Sequence, residues 1–270
     1  MKSKLLLLLA AFTTFSFAST VGPSRGTLMI VGGGTLGPEL VDKFFELAGG
    51  KDAPIVVFPT ADGLEEYKPG YLEKTFLSKA GATHLTLLHT KSRQTADSKQ
   101  FVAPLRKARA VWFVGGRQWR LVDSYLGTRT ERELFALLKR GGVIGGSSAG
   151  ATIQGSYLVR GAREGNEMMM APGYEKGMGF LRNTAIDQHI LTRKRERDMA
   201  AVVKAHPELL GIGIDEGTAI LVHGDSFSVL GKSKVAITLA GQEMYFLKSG
   251  ESFDLAKQRP QQTATLTSTH

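Results

Sequence analysis

Residues 141–151 read Gly-Gly-Val-Ile-Gly-Gly-Ser-Ser-Ala-Gly-Ala, and this stretch decides the fold. Apolar Val143 and Ile144 predict a strand. The G-x-S-x-G pattern after them predicts a sharp turn into a helix, because small residues flank the central Ser148. Such a turn lifts the hydroxyl of Ser148 above the sheet, where the backbone amide of Ala149 can face a developing oxyanion. A glycine-rich connector in an α/β domain explains the pentapeptide equally well, so the flanking sequence must decide.

Apolar runs and helical patterns alternate around this turn. Several of the runs are continuously apolar, which predicts a largely parallel sheet covered by helices on both faces. Shorter strands with turn-rich spacing follow residue 211 and predict an antiparallel β section near the C-terminus. The strands are predicted at 26–31, 53–59, 84–89, 110–114, 143–146, 211–222, 226–230, 235–239 and 244–247, and the main helices at 38–47, 71–80 and 128–140.

The composition is that of a folded domain with a substantial core. The chain has 270 residues, of which 42% are hydrophobic, and a formal net charge of +9. The positive charges are scattered, apart from the run Arg193-Lys194-Arg195-Glu196-Arg197, and no aromatic residue interleaves with that run. A base-stacking surface for nucleic acid is therefore not expected, and an acidic substrate explains the charge as well.

The N-terminus resembles a secretory signal. Lys2 and Lys4 precede a short apolar core, and Ser16-Phe17-Ala18 has small residues where a signal peptidase cuts. The apolar core is too short for a stable membrane anchor. We expect a signal peptide at 1–18, one α/β domain at 19–258 and a polar tail at 259–270, with the mature protein periplasmic or secreted.

The chain has no cysteine, which excludes disulfides, thiolate chemistry and zinc–cysteine sites. The glycine turn Gly32-Gly33-Gly34 superficially suggests a phosphate loop. It lacks the G-x-G-x-x-G spacing and the Walker lysine, so nucleotide binding is not favoured. We expect neither a metal nor an organic cofactor.

A serine nucleophile needs a base, and the base needs a third group to orient it. Among the six histidines, His189 stands out because it ends the strand-like run Ala185-Ile186-Asp187-Gln188 and precedes the basic segment. The alternative base His223 would suit an α/β-hydrolase, which places its histidine near the C-terminus after more strands.

Three motifs together resemble the cyanophycinase and dipeptidase E family of S51-type serine peptidases. They are Gly-Ser-Ser148-Ala-Gly-Ala, Asp187-Gln188-His189 followed by two arginines, and Gly115-Gly116-Arg117-Gln118. The resemblance runs from about residue 26 to about residue 222. It implies a fold similar to class I glutamine amidotransferases, a flavodoxin-like three-layer α/β/α sandwich with a mostly parallel sheet.

The same resemblance implies the roles of individual residues. Ser148 is expected as nucleophile, His189 as general base, and the backbone amides of Gly116 and Ala149 as the oxyanion hole. Five side chains are expected to face the substrate: Gln118, Asp187, Gln188, Arg193 and Arg195.

The third member of the triad is an open choice among acids. Asn166-Glu167-Met168 resembles the Asn-Asp-Met context of the acid in the dipeptidase branch, so Glu167 is the first candidate. Glu164 is a second, and Asp215 and Glu216 are further acids for which a turn after a strand is an equally good explanation.

The two arginines suit a carboxylate-bearing substrate. A guanidinium binds carboxylates bidentately, and a β-linked aspartyl peptide carries a free α-carboxylate beside its scissile bond. Two departures weigh against cyanophycin itself. Asp198 stands where cyanophycin-cleaving members carry a third arginine, and Arg117 stands where an acidic or amide residue is usual.

These features favour an exported serine peptidase acting on a peptide substrate, β-aspartyl–arginine units or other Asp-rich peptides, and they leave room for a homodimer. The alternative is a non-catalytic binding protein that uses the same pocket to hold an acidic ligand. Glutamine amidotransferase activity is not favoured, because those enzymes use a cysteine nucleophile.

Overall fold

Most of the apolar runs predicted as strands pair in a nine-stranded sheet. The computed structural model describes residues 20–261, so the predicted signal peptide lies outside the described residues. Five strands form a parallel half, as predicted from their continuous apolar character. In sheet order they are β1 (Thr27–Val31), β5 (Val143–Ser147), β4 (Ala110–Phe113), β2 (Ile55–Phe58) and β3 (Leu85–Leu87).

The other half of this sheet is antiparallel and continues from β1. In sheet order its strands are β9 (Thr218–His223), β10 (Ser226–Gly231), β13 (Ser252–Asp254) and β14 (Arg259–Gln261). The last of these strands includes the first three residues that the sequence predicted as a loose tail. They are ordered because their backbone pairs with β13. The rest of the predicted tail lies outside the described residues.

A second sheet of five strands was not predicted from the sequence. It consists of β6 (Gly155–Tyr157), β7 (Leu181–Gln188), β8 (Leu210–Ile214), β11 (Lys234–Thr238) and β12 (Tyr245–Lys248). The order is β12-β11-β8-β7-β6, with β6, β7 and β8 parallel. The C-terminal strands expected in one antiparallel section are therefore divided between two sheets.

Eight α-helices connect the strands within the described residues. They are α1 (Pro38–Ala48), α2 (Phe76–Lys79), α3 (Arg93–Ala96), α4 (Ala103–Lys107), α5 (Gln118–Tyr125), α6 (Arg129–Lys139), α7 (Ala149–Thr152) and α8 (Met199–Ala205). The helix predicted over 71–80 is interrupted. Thr75 is extended (φ −68°, ψ 156°) and separates a 3₁₀ turn, Leu72–Lys74, from α2.

Buried side chains form layers on both faces of the large sheet. On one face, Phe44 of α1 packs edge-on against Trp112 of β4, with ring centroids 5.0 Å apart. The other face packs α4, α5, α6 and the second sheet, and Ile30 and Ile212 belong to the same buried cluster. Helix α8 covers the outer face of the second sheet. The predicted α/β class with helices on both faces is confirmed.

The strand register brings four strand ends to one edge. Val31 of β1 pairs with Ser147 of β5, and Gln188 of β7 pairs with Ile214 of β8. Because parallel strands end on the same side, the residues that follow them meet at that edge. Across residues 20–261, no helix has the length and apolar character needed to cross a membrane.

Candidate active site

Ser148 lies at the turn that the sequence predicted. Its backbone has φ 57° and ψ −113°, a conformation that residues other than glycine rarely adopt. Its backbone amide donates to the carbonyl of Val31 at 3.0 Å. The flanking glycines allow the close approach of α7 to the sheet. A Cβ on Gly146 would lie 2.3 Å from the carbonyl oxygen of Gly150, and one on Gly150 would lie 2.3 Å from that of Phe113. The turn is therefore held by backbone packing.

His189 follows the end of β7 and faces Ser148. Its Nε2 lies 2.9 Å from Oγ of Ser148, within reach of proton transfer. Its backbone also has a positive φ of 56°, and its amide donates to the carbonyl of Gly32 at 3.0 Å. The expected pairing of these two side chains is thus present, and both depend on the end of β1 for their backbone hydrogen bonds.

Glu216 is the acid that contacts His189. Its Oε1 lies 2.6 Å from Nδ1 of His189, and it belongs to the turn between β8 and β9. A carboxylate at Nδ1 keeps the proton on that nitrogen, so Nε2 is left to accept the proton of Ser148.

The expectation that Glu167 orients His189 is therefore wrong. Glu167 is exposed, and its Oε1 lies 3.2 Å from Nη2 of Arg195. Glu164, the second candidate, is also exposed and has no hydrogen-bond partner among the described residues. Both lie in a segment without regular structure, whereas Glu216 is fixed by the pairing of β8 with β7.

The glycine turn after β1 makes room for the imidazole. Gly33 has φ 125°, and a Cβ there would lie 2.1 Å from Cε1 of His189. A Cβ on Gly34 would lie 2.6 Å from Oε2 of Glu216. The stretch that superficially resembled a phosphate loop therefore packs against the histidine and the glutamate. Its position directly after the first buried strand was the only signal for this role in the sequence.

Asp215 fixes the turn that carries His189. The carboxylate is buried and accepts hydrogen bonds from the backbone amides of Leu191 and Thr192 at 3.1 and 2.9 Å, and from the hydroxyl of Ser233 at 2.7 Å. Burial alone raises the pKa of Asp215, but these hydrogen bonds outweigh it and the pKa lies below its usual value. Asp215 is therefore a positioning residue, and Glu216 next to it makes the contact to the imidazole.

The surroundings of His189 favour its neutral form. Burial lowers its pKa most, and the positive charges of Arg193 and Arg195 lower it further, while Glu216 raises it. The net pKa lies below the usual value of 6.5. A histidine that is neutral at pH 7 is ready to act as a base.

Two backbone amides are available for an oxyanion. In the described part of the chain, neither Gly116 nor Ala149 donates its amide to a protein acceptor. Gly116 has φ 140°, and a Cβ there would lie 2.0 Å from the carbonyl oxygen of Ala61, so only glycine fits. A Cβ on the preceding Gly115 would lie 3.3 Å from Cβ of Ser148, which places this loop beside the hydroxyl.

Two residues expected to face the substrate are buried. The side-chain Nε2 of Gln118 donates to the carbonyls of Val159 and Arg160, both at 2.8 Å, and the residue is 2% exposed. Asp187 is 1% exposed and forms a two-point ion pair with Arg160 at 2.8 and 2.9 Å. In the structure both side chains bind protein groups, and their contact with the substrate stays a prediction.

Arg160 was not predicted from the sequence as a functional or structural residue. Its guanidinium is fully buried and also contacts Asp198 at 2.6 Å and the carbonyl of Asn166 at 2.8 Å. Burial lowers the pKa of Arg160, but Asp187 and Asp198 raise it by more, so the side chain stays charged. Asp198, noted above as a departure from the cyanophycin-cleaving pattern, therefore has a structural partner. A lone arginine among apolar residues gave no signal of this role.

Gln188, Arg193 and Arg195 remain beside His189. Gln188 and Arg195 are buried, and each has a polar atom without a hydrogen-bond partner among the residues that the structure describes, Oε1 of Gln188 and Nη1 of Arg195. Arg193 is exposed, yet close enough to depress the pKa of His189. A buried donor or acceptor without a hydrogen-bond partner costs free energy, unless a ligand supplies the missing hydrogen bond.

Arg117 holds a loop. Its Nη2 donates to the carbonyls of Ala162 and Gly165, both at 2.5 Å, across the segment that follows β6. His223, the alternative base, lies at the opposite end of the sheet. It is the last residue of β9, paired with Ser226 of β10, and its Nδ1 lies 3.0 Å from the carbonyl oxygen of Gly26. The α/β-hydrolase alternative is excluded by that position.

The described residues do not form a metal site. Within residues 20–261 no group of three or more His, Asp or Glu side chains is arranged to hold a metal ion.

Comparison with protein-family models matches residues 28–230 to "Peptidase family S51". Two similar proteins are each named cyanophycinase. The one from Geminocystis herdmanii (strain PCC 6308) is 31% identical over 233 residues, which are 84% of this chain and 85% of that protein. The one from Nostoc sp. (strain PCC 7120 / SAG 25.82 / UTEX 2576) is 30% identical over 223 residues, 79% of this chain and 74% of that protein.

Two solved structures are similar in fold. A peptidase from an acI-B1 Actinobacterium superimposes with a TM-score of 0.68 at 26% identity, covering 86% of this chain and 98% of that chain. A putative peptidase E protein from Listeria monocytogenes EGD-e superimposes with a TM-score of 0.56 at 14% identity, covering 77% and 100%. The second likeness concerns the fold alone. Together they confirm the flavodoxin-like α/β class predicted from the sequence.

Proposed function

The chain belongs to peptidase family S51 and is a serine-type peptidase, and from this premise we propose its mechanism, substrate and location. The proposed catalytic triad is Ser148, His189 and Glu216. The proposed substrates are β-aspartyl peptides or other peptides with an Asp at the scissile bond. The observation that carries the triad is the chain of two short contacts, 2.9 Å from serine to histidine and 2.6 Å from histidine to glutamate.

Acylation begins when Oγ of Ser148 attacks the peptide carbonyl. The Oγ–C bond forms while Nε2 of His189 takes the hydroxyl proton, and the amides of Gly116 and Ala149 stabilise the oxyanion. The C–N bond then breaks, and His189 gives its proton to the leaving amine. Glu216 stabilises the imidazolium during this transfer without taking its proton.

Deacylation repeats these steps with water. His189 removes a proton from water, the hydroxide adds to the acyl carbon, and Oγ of Ser148 leaves with the proton that His189 returns. The triad and the oxyanion hole are sufficient for both half-reactions.

The unpaired atoms support a substrate that carries a carboxylate. Nη1 of Arg195 is a buried donor without a partner in the described part of the chain, and Arg193 adds a second positive charge next to His189. An α-carboxylate adjoining the scissile β-linkage would complete these donors and would contribute a charge-assisted hydrogen bond. The relatives named cyanophycinase are consistent with a β-aspartyl linkage.

We further propose that the protein is exported. The proposal is supported by the charged start, short apolar core and small residues at 16–18. A periplasmic or secreted location follows if residues 1–18 are cleaved. An exported protein of this kind can also form a homodimer.

The function is tested by substitution of the nucleophile. Ser148→Ala should reduce hydrolysis of β-aspartyl peptides by at least a thousandfold, because within residues 20–261 no other hydroxyl is hydrogen-bonded to Nε2 of His189. Ser226→Ala, at the opposite end of the sheet, is the matched control and should retain full activity. Rates are measured by mass spectrometry of the released amino acids, with circular dichroism to confirm folding.

Labelling by a serine-directed phosphonate separates the peptidase from a non-catalytic binding protein. Modification of the wild-type chain at Ser148, absent in Ser148→Ala, supports the peptidase. Tight binding of β-aspartyl peptides with neither labelling nor turnover would instead support the binding protein.

A further inference from the structure

A cavity of about 260 Å³ opens beside the nucleophile on the face of the large sheet that packs α1. It is smaller than the sites of about 300–1,000 Å³ that hold drug-sized ligands, and it suits one side chain better than a cofactor. Its lining is mainly apolar, contributed by Leu36, Val57, Phe76, Leu77, Trp112 and Val114.

The inner end of the cavity reaches the catalytic serine. Gly115 and Ser147 line it, and Ser147 directly precedes Ser148. A Cβ on Gly115 would lie 3.8 Å from Oγ of Ser148. A side chain that fills this cavity therefore belongs to a residue that adjoins the scissile bond.

The outer wall is formed by the break in the helix predicted over 71–80. The extended Thr75 turns the chain, with its hydroxyl donating to the carbonyl of Leu72 at 2.6 Å and accepting from the amide of Ser78 at 3.3 Å. Phe76 packs edge-on against Trp112, with centroids 4.9 Å apart. These contacts keep the wall in place, so the cavity is formed before any ligand arrives.

The charge at the rim selects against a basic side chain. Lys74 is the one charged residue among those that line the cavity, and no carboxylate is among them. An arginine side chain placed here would be desolvated beside a like charge, which costs free energy on both counts. A leucine, methionine or phenylalanine side chain would instead exchange water for apolar contact.

We propose that this cavity is the specificity subsite for an apolar side chain, and that the preferred substrate is a β-aspartyl peptide with an apolar residue on the leaving-amine side of the scissile bond. The proposal rests on Ser148 being the nucleophile. In this arrangement the α-carboxylate of the substrate binds Arg193 and Arg195, which follow β7 in the second sheet. The apolar side chain of the substrate lies in the cavity on the large sheet. The substrate thus differs from a β-aspartyl–arginine unit.

The experiment compares three dipeptides, β-Asp-Leu, β-Asp-Gly and β-Asp-Arg, by kcat/KM. Burial of a leucine side chain should make kcat/KM for β-Asp-Leu roughly tenfold to a hundredfold higher than for β-Asp-Gly. Leu36→Trp places a larger side chain in the lining of the cavity, where it should fill much of the space and bring this ratio close to one. Leu64→Trp, at a leucine that is 52% exposed outside the cavity, is the matched control and should keep the wild-type ratio.

A second variant tests the cavity independently, in case Leu36→Trp does not fold. Phe76→Ala enlarges the cavity and should shift the preference from β-Asp-Leu towards β-Asp-Trp. Its matched control is Phe135→Ala. This substitution also removes a partly exposed aromatic ring, which packs edge-on against Phe180 on the opposite face of the large sheet, away from the cavity.

Preference for β-Asp-Arg over β-Asp-Leu, or a Leu/Gly ratio that neither cavity variant changes, overturns the subsite while leaving the peptidase intact. Absence of turnover for all three dipeptides together with absence of phosphonate labelling overturns the proposed function and the subsite with it.

Discussion

At the scale of single residues, the site depends on which acid meets the imidazole. Glu216 and Glu167 were both candidates by chemistry, and only Glu216 is within hydrogen-bond distance of His189. Its neighbour Asp215 accepts four hydrogen bonds from the turn after His189 and from Ser233, so the two adjacent acids have separate tasks.

Glu216→Gln should lower kcat by about a hundredfold to ten-thousandfold, because an amide at Nδ1 no longer stabilises the imidazolium or fixes its tautomer. The pH profile should move as well. His189 must be neutral to act, so kcat/KM falls as the pH drops through its pKa, which in the wild type already lies below 6.5. Since Glu216 raises that pKa, its removal should move the acid limb to still lower pH.

Glu167→Gln provides the comparison for Glu216→Gln. Glu167 contacts Arg195 and not the imidazole, so its substitution should lower kcat far less and leave the acid limb at the wild-type pH. Stopped-time assays from pH 4 to pH 8 measure both quantities. The reverse pattern, a large loss in Glu167→Gln alone, would return the third position of the triad to Glu167.

At the scale of elements, the end of β1 organises the site. Its backbone accepts the amide of Ser148 at Val31, that of His189 at Gly32 and that of Gly217 at Gly33. The turn after β5, the end of β7 and the turn that joins β8 to β9 are thereby fixed to the same three residues. The strained backbones of Ser148 and His189, which cost about 1–3 kcal/mol each, persist because this edge holds them.

Gly33→Ala should strongly reduce activity while Gly37→Ala should not. A Cβ at Gly33 would lie 2.1 Å from the imidazole of His189, and its φ of 125° is unfavourable for alanine. At Gly37 no atom lies within 4 Å of the added Cβ, and φ is −68°. We expect a loss of kcat of at least a hundredfold in the first variant, from displacement of the imidazole, and less than twofold in the second.

The measurement is turnover of β-Asp-Leu, with thermal unfolding of each variant as a check of the fold. Activity near the wild-type level in a folded Gly33→Ala protein would show that His189 does not need this packing.

At the scale of the whole molecule, two sheets share one site, and a buried ion pair holds the second sheet to its connecting loop. Arg160 follows β6, Asp187 lies near the end of β7, and Asp198 precedes α8. The pair is desolvated on both sides, with side chains 0% and 1% exposed. Removal of one partner leaves the other as an uncompensated buried charge.

Arg160→Met should destabilise the protein by about 3–5 kcal/mol, since it leaves Asp187 buried and unpaired. For a domain of this size that corresponds to a fall in Tm of roughly 6–20 °C. Arg106→Met is the matched control. It removes a surface pair with Glu133 in which the arginine side chain is 49% exposed, and it should cost less than about 1 kcal/mol.

Urea unfolding followed by circular dichroism measures both variants. Equal free energies of unfolding for the two would show that the buried pair contributes no more than a surface one.

The sequence by itself determined the parts of the protein that depend on local chemistry. The apolar runs gave the strands of the parallel half, because a strand buried on both faces needs continuous apolar residues. The small residues around Ser148 indicated the sharp turn, since only they fit where α7 meets the sheet. The choice of His189 rested on a short motif near the end of a strand.

Only the tertiary structure decided which distant groups complete the site. The order of strands in the second sheet places β8 next to β7, and this adjacency, which no local pattern encodes, brings Glu216 to His189. Burial decided that Gln118 and Asp187 bind the protein, because each has a backbone or arginine partner from another element. The physical reason is common to both: hydrogen-bond partners and desolvation depend on long-range packing, whereas turns and strands depend on neighbouring residues.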